Sequence, residues 1–150
     1  TAMRHRAVPH SRADGAGTTA FCWGGRVVWQ ACARSAALDA GVAWYGRLAP
    51  AATATEEQKT AGRPWPVDLA ADLKVPVLGL YGGQDGGIPN DTVKAMKDAL
   101  AAAGKTDSQI ILYDDAPHGF HADYRASYRE ADAKDGWRRL LALFEARLKH

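Results

Sequence analysis

Cysteine is scarce in this sequence: Cys22 and Cys32 are the only two among 150 residues. Two cysteines make no disulfide framework, and no C-x-x-C pair marks a zinc site or a thioredoxin-like redox centre. Thiols left free fit a reducing compartment, so the cytoplasm is the expected location. Long apolar runs are also missing. None approaches the length of a membrane span, and the start has no signal-peptide core, so no membrane association is expected. Charge of one sign is missing too. The formal net charge of +2 is too small to argue for nucleic acid. The one basic concentration is Arg4, His5, Arg6, His10 and Arg12, which has no interleaved aromatics and reads as a solvated segment. No internal repeat or low-complexity tract is visible beyond a richness in alanine.

What is present is the composition of a globular domain, with 47% apolar and 24% charged residues. From residue 18 onward, short apolar runs alternate with amphipathic stretches. Thr18 to Phe21, Gly41 to Tyr45, Val75 to Tyr81 and Gln109 to Tyr113 read as strands. Arg26 to Ser35 and Asp91 to Ala103 read as helices, the second ended by Gly104. The last helix places Trp137, Leu140, Leu141, Phe144 and Leu148 on one stripe. Strands separated by helices predict an α/β fold, a mainly parallel sheet of about four strands flanked by helices. The segment from Ala49 to Asp68, with Pro50, Gly62, Pro64 and Pro66, predicts a surface excursion with a turn of helix near Glu56. Residues 1–17 form an irregular basic segment ahead of the domain at 18–150. The strand entering Cys22 is poor in bulky apolar residues for a central parallel strand, and four strands leave one edge open.

Three loops carry chemistry. Ala20-Phe21-Cys22-Trp23-Gly24-Gly25 lies between a strand and a helix. That is the setting of a nucleophile elbow, a sharp turn that lifts one reactive side chain above the sheet and needs small neighbours. The helix N-terminus behind Cys22 is expected to favour thiolate, and the Trp23 N–H would point at a developing oxyanion. Tyr81-Gly82-Gly83-Gln84-Asp85-Gly86-Gly87 places an acid after a strand, and Asp114-Asp115-Ala116-Pro117-His118-Gly119 places a histidine after the next. Taken singly, each has a plain structural reading: a buried cysteine, a turn aspartate, a loop histidine. Together they give nucleophile, acid and histidine in that chain order, each after a strand, which is the order of an α/β-hydrolase triad.

The runs FCWGGRVVW, AGVAWYGRL, PVLGLYGGQDGGIP and YDDAPHGFHADYRASYREADAKDGW resemble dienelactone hydrolase family proteins, carboxymethylenebutenolidases of the α/β-hydrolase superfamily. The similarity extends from about residue 18 to the C-terminus. It implies Cys22 as nucleophile, Asp85 as acid, His118 as base and the Trp23 N–H as an oxyanion-hole donor. It implies hydrolysis of a carboxylic ester or lactone through a thioester acyl-enzyme, without metal or organic cofactor. The partner would be a small-molecule ester or lactone, with no nucleic acid and no membrane; nothing in the residues indicates oligomeric state. The family's G-x-C-x-G has Ala20 at its first position here. The arginine that dienelactone-cleaving members carry four residues after the histidine is Ala122, with Arg125 three further on. The family's N-terminal half is not represented. By the resemblance it supplies further strands, a second oxyanion donor, a carboxylate-binding arginine and a glutamate that pairs with the resting thiol. The sequence therefore reads as the C-terminal catalytic part of such a hydrolase. Two alternatives stand beside this reading: a truncated fragment without activity of its own, or a general carboxylesterase of the same fold.

Arg47, after the second strand, and Tyr124 and Arg125, after the histidine loop, are the candidate substrate contacts; Tyr45 could line the pocket mouth and Trp44 reads as core. His118-x-x-His121-x-Asp123 clusters three groups able to bind a metal. Zinc wants ligands from two elements at fixed spacing, and no further set is apparent, so no metal is expected.

Overall fold

The computed structural model describes residues 15–148; the basic cluster from Arg4 to Arg12 lies outside the described residues. Four parallel strands form one sheet in the order β1 (Gly17–Phe21), β2 (Ala40–Trp44), β3 (Val77–Gly82) and β4 (Gln109–Tyr113). Each strand is followed by a crossover or a flanking helix: α1 (Trp23–Arg34), α2 (Glu56–Ala61), α3 (Asn90–Ala102) and α4 (Glu130–Arg147). A 3-10 segment, Pro66–Asp72, leads back from α2 into β3. The register pairs Thr19 with Val42, Val42 with Leu78, and Leu80 with Ile111, so all four C-terminal strand ends open on one side. In open α/β sheets that side is where ligands bind.

Burial divides the sheet. All residues of β2 and β3 are buried, as expected of parallel strands covered on both faces. β1 pairs only with β2 among the described residues, and its residues alternate between exposed and half-buried. The core between the sheet and α1, α3 and the 3-10 segment gathers Val28, Trp29, Val42, Leu69, Leu73, Leu80, Met96 and Leu100. Its buried polar groups are paired. Trp29 donates its Nε1–H to the Tyr81 hydroxyl at 3.0 Å, and that hydroxyl donates to the Gly46 carbonyl at 2.8 Å. Trp44 Nε1–H reaches Thr19 Oγ1 at 3.1 Å. Such bonds remove the cost of burying the aromatic polar tips.

The elements predicted from periodicity are present, with three differences. α1 begins at Trp23 rather than Arg26, because its first turn holds two glycines whose low helix propensity hides it. Leu141 and Trp137 of the α4 stripe are 53% and 43% exposed, while Ala133, Gly136 and Leu140 are buried. Gly136 is the reason: a Cβ there would come within 2.8 Å of the Trp44 ring, so the helix settles on the sheet at its smallest residue and turns Trp137 and Leu141 aside. The excursion after β2 does carry helix, capped reciprocally by Thr55 and Gln58, yet it is not wholly superficial, since Trp65 and Pro66 are buried. No described helix is long and apolar enough to cross a membrane.

Candidate active site

Cys22 stands between β1 and α1 with φ 57° and ψ −127°. A non-glycine residue at positive φ is held there by its surroundings. The Cys22 N–H donates to the Trp44 carbonyl at 3.0 Å, and its own carbonyl accepts from Gly25 N–H at 2.9 Å. A Cβ on Gly24 would come within 2.8 Å of the Ala20 Cβ, so the alanine at the elbow's first position is tolerated because the other flank is glycine. Trp23 opens α1, so its N–H is among the helix amides with no intrahelical acceptor. Its side chain is 77% exposed.

The acid loop and the histidine loop are brought together by the ends of β3 and β4. Gly83 N–H donates to the Tyr113 carbonyl at 2.7 Å, and Gln84 N–H to the Ala116 carbonyl at 3.0 Å. A side chain on Gly83 would meet Asp114 backbone at 2.5 Å, so this approach requires glycine. Asp85 is thereby buried at the foot of the cleft, where Oδ1 accepts from Gly87 N–H at 2.9 Å. Its Oδ2 lies 2.6 Å from His118 Nδ1. With Nδ1–H given to the carboxylate, Nε2 is the ring's remaining acceptor. Tyr45, itself at φ 35°, packs edge-on to the imidazole with centroids 5.0 Å apart, and to Phe120 at 5.3 Å.

Cys22, Trp23, Arg47, Asp85 and His118 all line one cleft of about 560 Å³, together with Arg26, Tyr45, Trp65 and Ile88. Tyr124 and Arg125 are not among its lining. Tyr124 is 80% exposed, with the Arg125 guanidinium over its ring at 5.6 Å. Arg125 still acts on the site through its charge, which favours ionised Cys22. That influence is not the strongest. Burial pushes the Cys22 thiol up, and the Asp85 carboxylate adds to the rise against the opposing charge of Arg125. Cys32 is fully buried on the other end of α1, its thiol pushed up to about 12 by desolvation.

Sequence reasoning missed Arg26 and Trp65. Arg26 had a signal, being one helical turn beyond the nucleophile. Trp65 had none, because it comes from the aperiodic excursion. Trp44, read as core, is fully buried. His121 stacks between Phe21 and Trp137, at 5.2 and 5.7 Å, and burial holds its imidazole below the usual range. No group of three or more His, Cys, Asp or Glu side chains among the described residues is placed to hold a metal ion.

A parallel sheet with a positive-φ residue at a strand–helix turn and an Asp–His pair on the following loops is the architecture of an α/β-hydrolase. Solved structures place it more narrowly. A crystal structure described as a "Putative Dienelactone Hydrolase" from Klebsiella pneumoniae superposes with a TM-score of 0.75 at 49% identity, over 86% of this chain and 51% of that one. The dienelactone hydrolase family model matches residues 3–148, and the chain belongs to that family. A "Putative carboxymethylenebutenolidase" of Methylorubrum extorquens is 55% identical over 124 residues, covering 83% of this chain and 40% of that protein. Its Escherichia coli counterpart by name is 49% identical over 127 residues, covering 85% and 44%. The chain thus spans less than half the length of these curated relatives.

Proposed function

We propose that this chain carries the reacting groups of a carboxylic ester or lactone hydrolase, with Cys22 as nucleophile. The observation that carries the reading is the 2.6 Å contact between Asp85 and His118 in the cleft that also holds Cys22 at its strained turn. Burial favours the protonated form of Cys22, and attack begins with transfer of its proton to His118 Nε2 as sulfur adds to the substrate carbonyl. Asp85 holds the imidazole in the required tautomer and stabilises the imidazolium that forms. The tetrahedral oxyanion takes a hydrogen bond from the Trp23 N–H, reinforced by the positive end of α1. Collapse passes the proton from His118 to the leaving alkoxide and leaves a thioester on Cys22. Water, deprotonated by His118, then hydrolyses the thioester and restores the thiol. Arg47, on the cleft wall, is the substrate-side cation of this reading; Arg125 and Tyr124 act from outside the lining. The carboxymethylenebutenolidase name of the relatives supports a lactone as one substrate class.

Hydrolysis of p-nitrophenyl acetate by the purified chain, beside its Cys22→Ala variant, tests this. Activity that vanishes with Cys22, with a trapped acetyl group on that residue, is the expected outcome. Activity that survives Cys22→Ala would overturn the assignment. The exposed edge of β1 supports a second reading, in which turnover needs further polypeptide along that edge. A folded chain that acylates neither Cys22 nor any other residue would favour it.

A further inference from the structure

We propose that Trp65, clamped by Arg26, sets the size of the group that can reach Cys22. The inference rests on reading the Cys22 cleft as the substrate site, and it concerns a residue outside the elbow, acid and histidine loops. Trp65 lines the cleft, although it arrives from the long connection between β2 and β3. Long connections are ordinarily mobile. Here several bonds hold this one. The Trp65 indole donates Nε1–H to the Lys59 carbonyl at 3.0 Å, and its backbone N–H donates to Asp68 Oδ2 at 2.9 Å. Its ring rests on Gly62, where a Cβ would come within 2.7 Å of Cε2.

The remaining fastenings come from α1. The Arg26 guanidinium lies 4.0 Å over the Trp65 ring and donates to the carbonyls of Gly62 and Pro64. Gln30, one turn further along, donates Nε2–H to the Pro64 carbonyl at 3.2 Å. The helix that begins at the nucleophile therefore also holds the wall that faces it. Wall and sulfur are thereby fastened to the same helix. Arg26 directs its donors to backbone carbonyls and its face to an indole, which makes it a positioning residue. Trp65 is the surface a substrate would touch, and Arg47 beside it leaves a second guanidinium on the same wall.

The test follows alkylation of Cys22, read by mass spectrometry of its peptide, with iodoacetamide and with the bulkier N-benzyl iodoacetamide. Wild type is compared with Trp65→Ala, Trp65→Phe and Arg26→Met. The expected result is a bulky-to-small rate ratio that rises about tenfold in Trp65→Ala. Trp65→Phe should restore most of the selectivity, and Arg26→Met should lose part of it while exposing the 49–64 connection to protease. Selectivity unchanged in Trp65→Ala, with Cys32 still protected, overturns the proposal. Rates of both reagents rising together, with Cys32 also labelled, signal general loosening and overturn it as well. Should Trp65→Ala not fold, the Phe and Met variants decide between the same outcomes. Alkylation needs neither His118 nor turnover, so a chain that fails to hydrolyse esters still answers this question.

Discussion

β1 and β3 both end on the same side of the sheet and both deliver a reactive group there, yet they are supported differently. β3 is buried along its whole length and bonded to strands on both sides, and the Asp85 loop continues its hydrogen bonding into β4. β1 has one neighbour among the described residues, offers its alternate residues to solvent and is only five residues long. Its nucleophile is nevertheless held at a strained φ, because the Cys22 N–H bonds across to the Trp44 carbonyl and α1 starts at once behind it. Asp85 and His118 are thus pre-set by the core, while Cys22 is set by a bond to the neighbouring strand and by one helix. Precision at an active site needs rigid support, and it does not need every supporting strand to be buried.

The largest expected effect tests the buried side of that comparison. Asp85→Asn should lower p-nitrophenyl acetate turnover on the order of 10⁴-fold with little change in fold, as loss of the orienting carboxylate does in a related triad. A drop of less than tenfold would show that the Asp85 carboxylate is not what orients His118, leaving the Tyr45 ring packed against it. Next comes stability. Trp44→Ala, at the sheet centre, should cost about 3–5 kcal/mol in urea unfolding, whereas Phe21→Ala at the exposed edge should cost under about 1 kcal/mol. Equal losses would mean that the edge carries as much of the fold as the centre does.

Two smaller effects concern charge. Asp135 accepts from the Tyr113 hydroxyl at 2.7 Å and from Arg139 at 2.8 Å, tying α4 to β4. The Arg139, Tyr113 and Arg138 hydrogen bonds hold its carboxyl well below the usual carboxylate range. With a folded value below the unfolded one, its contribution is present above the unfolded carboxylate value and lost as pH falls towards the folded one. Asp135→Asn should therefore cost about 1 kcal/mol near neutrality and progressively less in acid, read from urea midpoints across pH. Cys22 runs the other way. Burial raises its folded value above the unfolded one, so the neutral thiol supports the fold below the unfolded value, and that support is lost as pH rises through the folded value. Iodoacetamide labelling of Cys22 should reach half its maximal rate at a higher pH in the folded chain than in urea, and Arg125→Gln should move the folded midpoint higher still. A folded midpoint below the unfolded one would mean that the helix end outweighs burial.

Much of this was legible along the chain. Short runs between helical stretches located all four strands, β2, β3 and β4 by their apolar residues and β1 by its place before Cys22, and the chain order of Cys22, Asp85 and His118 marked one class of site. Less legible were features made by contacts between distant residues. The α4 stripe grouped Trp137 and Leu141 with Leu140, yet only Leu140 of the three is buried, since periodicity finds a helix's apolar side but not the one small residue, Gly136, at which it settles on Trp44. Arg125 stood out by position after the histidine, whereas the cleft took its arginines from α1 and the loop after β2.

The sequence by itself determined the α/β order and the family, and it marked Cys22, Asp85 and His118 as candidates, since these depend on local pattern and on residue types at fixed places in the chain. Only the tertiary structure decided that burial pushes the Cys22 thiol up, that Asp85 and His118 meet at 2.6 Å, and that Trp65 lines the cleft with Arg26 over its ring. Each of these is a matter of desolvation or of contact across tens of residues. Such effects belong to the packed chain, because burial and distance exist only once its segments have come together.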